Sequence, residues 1–311
     1  MAYGFNMELR NQQEWSWLVA LDLCLGGLGG GLFLLYQTFD LPRFIALLSL
    51  GLVVLGGVVL LSELGHPLRA WRAIARLRTS WISRGVLFVS FFLVAASLYL
   101  ASASAAFSWF PWTEDTLGAR VAWFVAGLCA VLITVYPGFV LSASAGIPFW
   151  NTRLLPLLFL THSAMGASGI VLLISPVHAY GQVLPQIESL AAVLMVANFV
   201  LTSIYLAVMN HSGGAARESV RLLNRDPLGW TFRIGVILVG MLLPLFIVLW
   251  LPSATGLAGA FILIGAPLFR YCVLKAGVYV PSALVGADRG KLKPISVDLL
   301  REFAGLTTPR S

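Results

Sequence analysis

The chain has 311 residues, of which 59% are hydrophobic and 11% charged, whereas an average soluble domain carries roughly 25% charged residues. A mean hydropathy of +0.89 makes lipid the solvent for most of the chain and excludes a cytosolic enzyme, a disulfide scaffold, a coiled coil and a disordered polypeptide. The charge balance is basic, 20 Lys and Arg against 13 Asp and Glu, a net charge of +7.

Cys24, Cys129 and Cys272 are scattered and form no CxxC pair, so neither a disulfide framework nor a zinc or iron-sulfur site is expected, and no metal ligands are assigned. In chain order, eight stretches suit a hydrocarbon core that needs about 20 apolar residues per helix. They cover 17–36, 44–64, 84–106, 119–145, 154–177, 187–210, 231–251 and 255–280. Their limits fall at Asp40 and Pro42, Gly65 and Pro67, Pro111, Pro148, Pro176, Pro227 and Pro252, residues that punctuate helices. The first stretch is too long for the core of a cleavable signal peptide and follows Glu8 and Arg10, so it reads as a retained span. The expected fold is therefore all-α: a polytopic membrane protein, a bundle of eight transmembrane helices forming a single integral membrane domain over 1–311, with a tail at 282–311.

Eight spans place both termini on one face, called face A here, with the connections between spans two and three, four and five, and six and seven. All but Arg43 and Arg120 of the 20 basic residues fall on or near face A, counting Arg270 and Lys275 in the last span. The positive-inside rule makes face A cytoplasmic, so both termini and the 282–311 tail are expected inside the cytoplasmic (inner) membrane. Because the basic residues follow loop parity, the charge reports orientation, and no nucleic-acid partner is expected.

Charges within a span cost about 2.5–3.5 kcal/mol each on insertion scales. Asp22, Glu63, Arg270 and Lys275 bear that cost, and all gather toward face A. Two readings fit: a buried ion-pair network that fixes helix packing, or a proton-handling pocket open to face A. Tyr136, just before Pro137 and Gly138, and His162 in the face A half of span five lie at similar depth. Trp15 and Trp17 sit where an aromatic belt anchors at the headgroups, and could also flank a ring-shaped ligand. Gly26, Gly27, Gly29, Gly30 and Gly31 fall inside a span, where they allow close helix contact and form no nucleotide loop. Of His66, His162, His178 and His211 only His162 lies clearly within a span, so no haem is expected. Phosphate-loop, HExxH and GxSxG motifs are absent from the sequence, which leaves ATPase and hydrolase readings without support.

After span two, Leu68, Trp71, Ile74 and Ala75 recur at helical spacing beside Arg69, Arg72 and Arg76. This pattern describes a helix lying in the interface on face A, with Arg78 following it. It is either a basic face turned to membrane lipid or a docking surface, built from Arg69, Arg72, Arg76 and Arg78, for a partner.

The run LGHPLRAWRAIARLRTSWISRG after span two, and YPGFVLSASAGIPFWNTRLLPLLFLTHSAMGASG joining spans four and five, resemble the membrane anchors of polysulfide reductase and dimethyl sulfoxide reductase, the NrfD/DmsC type. The resemblance runs across essentially all eight spans. It implies a quinone-reactive subunit without redox metal of its own, paired with a four-cluster iron-sulfur subunit and a molybdopterin catalytic subunit, in an oxidoreductase whose substrate chemistry belongs to the partners. It further implies a menaquinone or ubiquinone head group at the face A end, among spans one, two, four and five. Carried over by motif, the quinone-binding residues are His66, Arg69 and Tyr136, with Glu63 exchanging the proton; Asp22, Trp17 and His162 join by depth. Some dimethyl sulfoxide reductase anchors have His in place of Glu63 and an acidic residue in place of Gly85.

Quinol oxidation releases two electrons and two protons, which asks for a hydrogen-bonding group at each ring oxygen and a carboxylate able to take protons. The reading is that Glu63, with Asp22, exchanges protons while His66 or Tyr136 binds a ring oxygen, and electrons pass to or from a cluster in the partner. A secondary transporter or a purely structural anchor is the alternative; the inverted repeat expected of many transporters is not evident. Face A in the cytoplasm together with docking on face A implies a cytoplasm-facing enzyme, which resembles the sulfite-oxidising branch of the family. Protease applied to sealed right-side-out spheroplasts should leave the polypeptide beyond Ser282 intact. Cleavage there would place face A outside.

Overall fold

The computed structural model describes residues 10–39, 41–63, 78, 80–102, 111–177, 180–225 and 227–280; the 282–311 tail lies outside the described residues. Eight helical segments are long and apolar enough to cross a membrane. They are α1 (Trp17–Thr38), α2 (Arg43–Glu63), α3 (Trp81–Ser102), α4 (Leu117–Ser142), α5 (Leu154–Ile174), α6 (Val183–His211), a seventh span over Leu228–Trp250, and α10 (Thr255–Lys275). The seventh comprises a helical turn α8 (Leu228–Trp230), a π-helix over Thr231–Leu242 and α9 (Leu243–Trp250). A short amphipathic helix, α7 (Gly214–Leu222), follows α6 and buries Ala215, Ala216, Ser219 and Val220.

The bounds agree with the hydropathy reading to within a few residues, and the differences have local causes. Span three begins at Trp81, not at 84, because Arg84 folds its guanidinium over the Trp81 ring at 4.4 Å and Trp81 stacks on Phe139 of α4 at 4.8 Å. Both amphipathic residues therefore belong to the helix end at the interface. The last span stops at Lys275, because the backbone beyond Ala276 turns into a strand, β2 (Val278–Tyr279), paired antiparallel with β1 (Arg10–Asn11). The π-helix has no counterpart in the periodicity; there the Leu243 N–H reaches back five residues to the Leu238 carbonyl.

Hydrogen bonds at the two ends of the bundle agree with the parity of the loops. At one end the Gln12 N–H donates to the Gly277 carbonyl at 2.8 Å and the Val280 N–H to that of Gly146 at 2.9 Å, while α7 packs on β2. The N-terminal segment, loop four to five, loop six to seven and the exit from α10 thus meet on face A. There the Glu14 carboxylate accepts from the Tyr279 hydroxyl at 3.5 Å. Burial, followed by the Glu14 charge and this hydrogen bond, holds the Tyr279 phenol above its ordinary pKa, so it stays protonated as the donor. At the other end Arg43 pairs with Glu114 at 2.6 Å, joining loop one to two with loop three to four.

The bundle has an inner and an outer tier. Over their most apolar stretch α1 and α5 are 67% buried, whereas α2, α3 and α6 are 28% buried and turn large apolar side chains such as Leu55, Phe91 and Phe199 outward. Apolar surface on all sides is the expected pattern where lipid replaces water. The inner position of α1 depends on small residues. A Cβ added at Gly30 would lie 2.8 Å from the Ala130 carbonyl oxygen of α4, and one at Gly31 would lie 2.7 Å from the Ser163 carbonyl oxygen of α5. Both neighbours are backbone, so neither can rotate away.

This packing predicts that Gly31→Ala lowers the stability of the purified protein by about 1–3 kcal/mol, the usual cost of overpacking. Gly51→Ala, where an added Cβ meets nothing within 4 Å, should be neutral or slightly stabilising. Thermal unfolding in detergent compares them; equal midpoints would refute the account.

Candidate functional site

α1 divides the polar residues of the face A half into two groups. Asp22, buried at 8% exposure, faces α2: a Cβ at Gly56 would lie 3.2 Å from an Asp22 carboxylate oxygen. At five residues from the start of α1, it sits about 7.5 Å below the helix end. Tyr136 of α4 lays its ring on Gly85 of α3, where any β-carbon would collide with the ring. α1 packs along α2 and α4, and α3 along α4, so the Asp22 carboxylate and the Tyr136 phenol both belong to the part of the bundle formed by α1, α2, α3 and α4. α2 ends there with the backbone of Glu63.

The opposite flank of α1 carries a second group, centred on Arg270 of α10, whose exposure is 0%. Its three guanidinium nitrogens donate to the Leu23 carbonyl of α1 at 3.1 Å, the Ala266 carbonyl of its own helix at 3.1 Å and the Ser163 hydroxyl of α5 at 2.9 Å. Among the described residues no carboxylate lies within 4.0 Å of it. Gly27 makes the room, since a Cβ there would press on both the Arg270 guanidinium and the Ser163 hydroxyl. The His162 ring, buried at 1% exposure, stacks on Phe269 at 3.6 Å, and neither of its ring nitrogens has a hydrogen-bond partner in the described structure. An unfilled donor and acceptor thus sit beside a buried cation.

The sequence-predicted site residues are accordingly separated. Asp22 and Tyr136 line the α1–α4 part of the bundle, against α2 and α3 respectively; His162 joins Arg270 on the other flank of α1; Trp17 is 60% exposed at the start of α1. The side chain of Glu63, together with His66, Arg69, Arg72 and Arg76, lies outside the described residues. Arg78 is exposed, and its carbonyl accepts from the Arg84 guanidinium at 2.9 Å. Lys275 closes α10. Ser163 and Phe269 are not legible in the sequence as partners of these groups, since a serine and a phenylalanine inside apolar spans carry no signal of their own, and Gly27 is legible only as a site of close helix contact. Only the cost of burying Arg270 points to the need for acceptors nearby. Among the described residues no group of three or more His, Cys, Asp or Glu could hold a metal ion.

Comparison with known proteins agrees with the two motifs. The family model for the NrfD polysulphide reductase family matches residues 6–282. Protein NrfD of Escherichia coli is 25% identical over 310 residues, covering 85% of this chain and 94% of the relative. A polypeptide of the polysulfide reductase of Wolinella succinogenes is 24% identical over 308 residues, covering 88% and 95% respectively. A subunit of the sulfite dehydrogenase of Allochromatium vinosum is 31% identical over 125 residues, 35% of this chain and 37% of the relative.

The Arg270 geometry makes a prediction in which magnitudes decide the outcome. Three hydrogen bonds from a charged donor return about 1.5–3 kcal/mol each, against several kcal/mol for desolvating a cation with no counter-ion. Together they return about 4.5–9 kcal/mol, of the same size as the cost, so Arg270→Met, which removes both, should change thermal stability little. Arg270→Lys keeps the charge but cannot reach acceptors on three helices with one ammonium, and should cost roughly 2 kcal/mol or more. A Lys variant more stable than the Met variant would contradict this reading.

Proposed function

The chain belongs to the NrfD polysulphide reductase family, and from that premise we propose that it is the quinone-reactive membrane subunit of a multi-subunit oxidoreductase. The observation that carries the proposal is that Asp22, against α2, and Tyr136, against α3, line the same α1–α4 part of the bundle, at the end where α2 terminates at Glu63. A quinone ring presents two oxygens about a ring-width apart. One oxygen is hydrogen-bonded by the Tyr136 hydroxyl, with His66 and Arg69 contributed by the segment that follows α2. The other is served by the carboxylates, Glu63 exchanging the proton and Asp22 relaying it.

The step balances. A quinol gives up two electrons and two protons and becomes a quinone: the protons go to the carboxylates and on to face A, the electrons to an iron-sulfur cluster in the partner docked there. Reduction of a quinone is the reverse. The quinone is menaquinone or ubiquinone. The partners are a four-cluster iron-sulfur subunit and a molybdopterin catalytic subunit, with Arg69, Arg72, Arg76 and Arg78 as the basic docking surface. With face A cytoplasmic by the positive-inside rule, the substrate chemistry takes place on the cytoplasmic side. The likeness to a polypeptide of the Wolinella succinogenes polysulfide reductase and the stretch shared with a subunit of the Allochromatium vinosum sulfite dehydrogenase support an inorganic sulfur compound as the substrate class of that catalytic partner.

The test uses the assembled complex. Glu63→Gln and Tyr136→Phe should each lower quinone-linked turnover at least about a hundredfold, the lower end for loss of a positioned acid or base. Assembly, and turnover of the molybdopterin partner with an artificial dye, should be unchanged. Normal quinone-linked turnover in Glu63→Gln would refute the proton-exchange role.

A further inference from the structure

A cleft of about 740 Å³ opens between the face A ends of α4 and α5, on their outer side. Its floor is apolar: Val135, Phe139, Leu157 and Leu160 line it, with Phe139 and Leu157 exposed. Its mouth is polar, lined by Ser142, Asn151, Thr152 and Arg153. On α4, residues 135, 139 and 142 follow one another at i, i+4 and i+7, and residues 157 and 160 of α5 with its N-cap Arg153 have the same spacing, so each helix offers a single continuous stripe. The cleft is a built feature of the fold. The Ser142 hydroxyl lies 2.7 Å from both the Gly138 and the Thr152 carbonyl oxygens and donates its one hydrogen to either, and Gly138 lies directly against the backbone of Pro156.

Arg153 stands at the boundary between the polar mouth and the apolar floor. It is exposed, and among the described residues it has no hydrogen-bond or ion-pair partner, unlike Arg43, Arg221 and Arg225, which pair with carboxylates, and Arg84, which lies over an indole ring. An unpaired guanidinium at headgroup depth, above a lipid-facing apolar stripe, matches one class of ligand in both charge and polarity. We propose that the α4–α5 cleft binds an anionic phospholipid, its phosphate on Arg153 and Asn151 and an acyl tail along Phe139, Leu157 and Leu160. A quinone tail would fill the floor but brings no anion to Arg153, and an inorganic anion would leave the floor bare. The phosphate geometry suits the guanidinium fork, and on the cytoplasmic reading of face A proposed above, on which this point rests, the cleft faces the leaflet with the anionic surface.

The test uses the full-length protein, purified in detergent, stripped of lipid and titrated with dioleoyl phosphatidylglycerol while native mass spectrometry counts bound lipid. One phosphatidylglycerol should bind more tightly than dioleoyl phosphatidylcholine. Arg153→Glu should weaken that binding at least about fivefold, the equivalent of one basic residue near an anionic headgroup, and Arg153→Lys should restore most of it. Leu157→Trp, which fills the floor and keeps the charge, should also weaken it. Arg217→Glu, on α7 and outside the cleft, should leave it unchanged. Three results would overturn the proposal: Arg153→Glu binding like the unmodified protein, Arg217→Glu weakening binding as much as Arg153→Glu, or phosphatidylcholine binding equally well. Thermal midpoints of the variants within a few degrees of the parent show that the loss is of the site and not of the fold.

Discussion

The bundle is organised by how closely its neighbours approach α1. Lipid tails supply no hydrophobic force that would drive helix against helix, so association in a membrane rests on van der Waals contact and on hydrogen bonds that only short separations permit. Gly30 and Gly31 bring α1 onto the backbones of α4 and α5, and Gly27 leaves the volume that the Arg270 guanidinium occupies. With α1 central, each of its flanks becomes an interior surface. Polar groups at the same depth can then be sorted into separate compartments although they are close in projection along the membrane normal.

That sorting has chemical consequences. On one flank the Asp22 carboxyl and the Tyr136 phenol provide an acceptor and a donor of the kind a two-oxygen ring requires. On the other, Arg270 saturates its nitrogens with uncharged acceptors, and His162 keeps both ring nitrogens unfilled. Among the described residues this cation is held by uncharged acceptors and the Phe159 ring, with no carboxylate within 4.0 Å, and in a low-dielectric interior such a charge acts over longer distances than it would in water. Face A, where β1 and β2 pair and the loops converge, is the end at which both compartments lie.

Much of the fold is legible because the membrane imposes it. The lengths of the eight apolar stretches, their Pro boundaries and the loop parity of Arg and Lys require no tertiary information. The π-helix at Thr231–Leu242 is not legible, since hydropathy does not distinguish hydrogen bonds made to the fifth residue back from those made to the fourth. The strand pairing of Arg10–Asn11 with Val278–Tyr279 joins segments at opposite ends of the sequence and has no local signature. For the site, the energetic argument identifies Asp22, Arg270, Tyr136 and His162 as residues that need an explanation, and residue counting gives their depth. What counting does not supply is azimuth. Whether Asp22 and His162 face each other depends on helix rotation, and the structure turns them to opposite sides of α1.

The central claim, that quinone occupies the compartment between α1, α2 and α4, is tested most directly by photolabelling. The assembled complex would be irradiated with an azidoquinone and the labelled peptides identified by mass spectrometry. Label within Trp17–Thr38 or Leu117–Ser142, displaced by excess native quinone, is the result this structure predicts. Displaceable label confined to α6, on the outer tier, would contradict it.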